Sequence, residues 1–125
     1  MATILSIAST PILKTTRQLI LENAGHCVVS FNYPPSRNDL EPIQKPELAV
    51  VGHGFPGPDK RKVALTLNQV FPGIPILELC MYSPEIPGAD FILSHSPEDL
   101  LSAITILLSG RRGARLRKLN ITPDL

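Results

Sequence analysis

Leu48-Ala49-Val50-Val51 is an unbroken apolar run with no polar residue at any alternating position. Successive strand side chains point to opposite faces, so a strand of this kind must be covered on both. That condition is met in the interior of a parallel sheet with helices packed above and below, and it points to an α/β chain. Gly52-His53-Gly54-Phe55-Pro56-Gly57-Pro58 follows and reads as loop.

The flanking segments fit that frame. Ile4-Leu5-Ser6-Ile7 reads as a strand leading into Thr10-Pro11, a cap followed by proline at the first helical position. Beyond it Ile12, Leu13, Leu19, Ile20 and Leu21 interleave with Lys14, Arg17, Gln18 and Glu22 at helical spacing, and the helix ends near Asn23, before Gly25. Cys27-Val28-Val29-Ser30-Phe31 then supplies a second strand, completing a βαβ unit. After the loop, Asp59 opens a helix to about Val70. Val63, Ala64, Leu67 and Val70 occupy one face, with Lys60, Arg61, Lys62 and Asn68 largely on the other. Ile74 to Cys80 and Ala89 to Ser94 read as the last two strands. Ser96-Pro97-Glu98-Asp99 starts a helix running to about Ser109, with Gly110 closing it.

Two segments break the alternation, and prolines mark both. Pro34, Pro35, Pro42 and Pro46 lie between the second and third strands, and Pro84 and Pro87 between the fourth and fifth. A proline inside a helix costs about 3 kcal/mol or more, so at most a short turn survives around Ser36 to Glu41. The eight residues Met81 to Gly88 cannot hold an ordinary crossover helix, since a parallel crossover takes a dozen or more residues.

Composition narrows the function classes. With 125 residues, 43% hydrophobic and 18% charged, and a net charge of +1, the chain is expected to form one folded domain. We take residues 1–110 as the domain and 111–125 as a basic tail. No run approaches the roughly 18 apolar residues of a membrane span, and no secretory leader pattern is present, so a soluble cytoplasmic protein is expected. Cys27 and Cys80 lack metal-ligand or disulfide-framework spacing and read as buried thiols.

The order and spacing of Ile4-Leu5-Ser6-Ile7 through Val29, Pro46 to Gly57, Gly73-Ile74-Pro75-Ile76 and Gly88 to Leu100 resemble response-regulator receiver domains of the CheY-like superfamily. The resemblance implies a flavodoxin-like, doubly wound five-stranded parallel sheet of order 2-1-3-4-5. The second helix is expected to be short and the fourth missing or collapsed. In that family an acidic pair binds magnesium, an aspartate accepts phosphate, and a hydroxyl residue and a lysine complete the site. Those positions fall on Ala8 and Ser9, on Gly52, on Cys80 and on His95, and none keeps the role. Residues 5–11 and 48–58 contain no Asp or Glu, so a shift of register does not restore one. The resemblance is therefore to a pseudo-receiver that is no enzyme, needs no cofactor, and acts through a protein partner or as a homodimer.

Two other readings stand beside it. His53, Cys80 and His95 all fall at the carboxyl edge of the sheet, where this fold binds ligands, and could form a small-ligand or metal site. Arg111, Arg112, Arg115, Arg117 and Lys118 could contact nucleic acid or an acidic partner. Nucleic acid is disfavoured because no recognition helix or aromatic platform accompanies these charges. Leu116, Leu119 and Ile121 suggest instead that the tail docks on a protein surface, over the groove where a fourth helix would lie.

Overall fold

In the computed structural model, which describes residues 2–93 and 96–109, five parallel strands form one sheet in the order β2-β1-β3-β4-β5. The elements are β1 (Thr3–Ile7), α1 (Pro11–Asn23), β2 (Cys27–Phe31), α2 (Arg37–Leu40), β3 (Leu48–Val51), α3 (Gly57–Val70), β4 (Ile76–Leu79), β5 (Asp90–Ile92) and α4 (Pro97–Leu108). The expected doubly wound topology is thus the observed one. β1 is central, pairing Ile4 with both Val28 and Leu48. All four residues of β3 are buried, as a strand without polar positions requires.

Strand alternation divides the core in two. Ile4, Leu48, Val50, Leu77, Leu79 and Ile92 face Leu21 of α1 and Leu100, Ala103, Ile104 and Leu107 of α4. On the other face Leu5, Ile7, Ala49, Val51 and Ile76 meet Leu40 of α2 and Val63, Ala64 and Leu67 of α3. Helix starts lie where their capping chemistry puts them. Thr10 Oγ1 accepts from the Leu13 amide at 3.2 Å, and Ser96 Oγ from the Asp99 amide at 3.0 Å. Ser36 and Asp39 form a reciprocal capping box that secures even the four-residue α2.

The two proline-marked segments are reduced as expected. α2 is a single turn, and no helix forms between β4 and β5. Other expectations need correction. β4 and β5 are shorter than the apolar runs suggest, and α3 begins at Gly57, two residues before Asp59. Cys27 is exposed, because β2 is an edge strand and its first residue lies at the rim. Lys60 and Arg17 are buried, although both read as polar-face residues of their helices. Ile12 and Leu19, read as part of the apolar spacing of α1, are exposed.

Candidate functional site at the carboxyl edge of the sheet

The carboxyl ends of β1 and β3 lie side by side at the switch point of the doubly wound sheet, where the chain order reverses and ligands bind in this architecture. Ala8 and Ser9 leave β1 there, and Gly52, His53 and Gly54 leave β3. The Gly52 amide donates to Ile7 O at 2.9 Å, locking the two exits together. Gly54 adopts φ +98, and a Cβ on it would overlap Ser9 Oγ, so a side chain there is excluded by both conformation and space.

The decisive feature is Arg17. Alternation along β3 points residue 52 toward the face that carries Val50 and Leu48, and α1 covers that face with Arg17 and Leu21 one turn apart. A Cβ built on Gly52 would overlap Arg17 Nη1 and stand 3.0 Å from Cζ and 3.3 Å from Nη2. The guanidinium therefore fills the space a side chain at position 52 would need. Arg17 is only 7% exposed, and its Nη1 is sealed from solvent without a hydrogen-bond partner. Burial pushes its pKa below the ordinary arginine value, because desolvation disfavours the charge. Guanidinium nevertheless stays protonated in proteins, so an uncompensated positive charge lies at the strand ends. Ser6 Oγ, on the same face of β1, is also buried without a partner.

A magnesium ion does not fit these residues. A hard cation requires carboxylate oxygens, and residues 5–11 and 48–58 have none, while the fixed cation of Arg17 lies against Gly52.

Of the proposed histidine and cysteine set, His53 and Cys80 lie among the described residues. His53 is half-buried in the turn after β3, and Cys80 is buried at the end of β4. His95, and the basic residues Arg111, Arg112, Arg115, Arg117 and Lys118, lie outside the described residues. Among the described residues no group of three His, Cys, Asp or Glu side chains is placed to hold a metal. The Cys80 thiol is pushed up to about 12 by burial, then by the negative charge of Glu78, with the Lys60 charge acting in the opposite direction. It is therefore a poor nucleophile at neutral pH.

Sequence reasoning missed a second polar centre, on the opposite face. Lys60 Nζ of α3 donates to Glu78 Oε2 at 2.8 Å and to Leu79 O at 3.0 Å. The Glu78 carboxylate also accepts the Glu85 amide at 2.8 Å and the Ile86 amide at 3.0 Å. Both side chains are almost fully buried. This network ties the helix-free link between β4 and β5 to α3. Beside it runs a groove of about 600 Å³, lined in part by Ala64, Leu65, Ile76, Ile86 and Ala89.

Receiver domains of the CheY-like type share this fold. One is the signal receiver domain of a signal transduction histidine kinase from Syntrophus aciditrophicus, 22% identical, with a TM-score of 0.70 and 100% of both chains covered. A LuxR-family two-component response regulator from Aurantimonas sp. SI85-9A1 is 22% identical at a TM-score of 0.69, covering 97% of this chain and 91% of that one. A response regulator receiver protein from Sinorhizobium medicae WSM419 is also 22% identical, with a TM-score of 0.70 over 87% and 95%. At these identities the likeness is one of fold. No family model matches the chain. No curated protein matches it either.

Proposed function

We propose that this chain is a receiver-like signalling or regulatory module that takes no phosphoryl group and works by protein–protein interaction. One observation carries the reading: Gly52, which we equate with the acceptor position of receivers, has no side chain, and the Arg17 guanidinium fills the space beside it. Glycine offers no oxygen to phosphorylate, and the neighbouring Ala8 and Ser9 offer no carboxylate for a metal.

Support for a protein partner comes from the other end of the fold. Between β4 and β5 the sheet lacks a covering helix, and Leu65, Met81 and Tyr82 are exposed on and beside that region. Exposed apolar surface of this kind marks interaction sites, and a second copy of this chain is one candidate occupant. No helix among the described residues is long and apolar enough to cross a membrane. We assign residues 111–125 as an accessory basic tail, not as a nucleic-acid-binding element.

The test is exposure to acetyl phosphate or beryllofluoride with magnesium, followed by intact mass and amide spectra. We expect no adduct and no spectral change, and stoichiometric uptake overturns the reading. Sedimentation velocity across a concentration series then separates self-association from an external partner.

A further inference from the structure

We propose that the carboxyl edge around Arg17 is a binding site for a small oxyanion of the phosphate class. The proposal rests on the reading of Gly52 as a position that carries no phosphoacceptor, and it assigns that position a different ligand chemistry.

The argument begins with charge. A buried guanidinium cannot neutralise itself and normally lies against a carboxylate or a set of acceptors. The ion pairs among the described residues are Arg37–Glu41, Lys60–Glu78 and Arg61–Glu85, so no acidic side chain there compensates Arg17. Nη1 has no acceptor at all. The two strand exits next to it contain no acid from residue 5 to 11 or from 48 to 58. What this edge offers is a fixed positive charge and the Ser9 hydroxyl, beside a turn containing two glycines, one of them at φ +98. Such a donor set suits an oxyanion, and a planar five-donor fork suits phosphate in particular.

Access decides the size of the ligand. Nη1 is sealed beneath the exit of β3, so a side chain carried by a folded partner cannot reach it without dismantling the edge. A free anion can reach it where the Gly52–Gly54 turn moves aside. The site also lies at the switch point between β1 and β3, where doubly wound sheets present their ligands.

The experiment is titration of the full chain with inorganic phosphate in the presence of EDTA at constant ionic strength, followed by amide chemical shifts. The expected result is saturable shifts centred on Ser9, Gly52 and Gly54 with no requirement for magnesium. Arg17→Met should weaken binding at least tenfold, and Arg17→Lys should retain part of it. Acetate in place of phosphate should bind more weakly. Three results would each overturn the proposal: shifts that do not saturate, shifts matched by chloride, or shifts unchanged in Arg17→Met. Those failures leave the phosphorylation-independent reading intact, because that reading fails only on magnesium-dependent uptake of beryllofluoride. Should Arg17→Met fold poorly, Ser9→Ala, which removes the hydroxyl from the half-buried exit of β1 without adding bulk, serves as the second variant and should also weaken the saturable shifts.

Discussion

Lys60 Nζ lies 2.8 Å from Glu78 Oε2 with both side chains withdrawn from water, and the same carboxylate accepts the amides of Glu85 and Ile86. One side chain on β4 thus does two jobs. It neutralises a buried lysine of α3 and supplies acceptors to a connection that has no helix to satisfy its own backbone.

Removing one partner should therefore be severe. Lys60→Met leaves Glu78 charged and buried, and losing one member of a buried pair costs about 3–5 kcal/mol. Because two backbone amides still solvate the carboxylate, we expect the low end, about 3 kcal/mol, from the urea midpoint. Glu78→Leu should cost at least as much. The double variant should cost less than the sum of the two, and additivity would show that the pair is not energetically coupled.

The same contact should govern local order. In the intact chain the Glu85 and Ile86 amides are expected to exchange with solvent slowly, since each donates to Glu78. In Glu78→Leu these two amides should lose protection well beyond the global loss of stability, while Val50 and Val51 in β3 change only with the global term. Equal acceleration everywhere would mean that the β4–β5 link is held by packing alone.

Position 52 gives a graded test of the site geometry. Gly52→Ala puts a methyl into the Arg17 head and should cost about 1–3 kcal/mol, the range for overpacking a filled space. Gly52→Asp adds more bulk but also a counter-charge for the guanidinium, so it should be less destabilising than alanine. Thermal midpoints of the two variants decide this. Neither variant should take up beryllofluoride, because Ala8 and Ser9 still supply no metal ligand. A lower midpoint for aspartate than for alanine would show that the Arg17 charge is already compensated.

The fold was legible because its signals are repeated and local. A run such as Leu48-Ala49-Val50-Val51 admits few environments, and Thr10-Pro11 and Ser96-Pro97 mark helix starts by chemistry that depends on no distant residue. The glycine at 52 was legible too, but the side chain that fills the space beside it was not. Arg17 lies four residues before Leu21 and shares its buried face, but a lone arginine in a helix ordinarily stays solvated, and only the three-dimensional approach to Gly52 shows otherwise. Glu78 gave a clearer sign, a charge inside Ile76-Leu77-Glu78-Leu79, because a carboxylate in a doubly covered strand needs a partner. Identifying that partner as Lys60 required knowing which face of β4 meets α3.

Cys80 supplies a prediction in pH. Its thiol is held up to about 12 in the folded chain, against an ordinary 9.0, first by burial and then by Glu78. Between those values the unfolded chain has released the proton and the folded chain has not, so the unfolded state binds fewer protons and stability falls as pH rises. The contribution is fully present below pH 9 and declines from there toward 12, at no more than about 1.4 kcal/mol per pH unit. Lysines and tyrosines also titrate in this range, so the measurement is the difference between wild type and Cys80→Ala in urea midpoints from pH 8 to 10.5. Wild type should lose stability more steeply above pH 9. In parallel, iodoacetamide at pH 8 should modify the exposed Cys27 and spare Cys80 until urea unfolds the chain. Equal labelling of both cysteines under native conditions, or parallel pH curves for the two proteins, would place the thiol in contact with solvent and remove the basis of the shift.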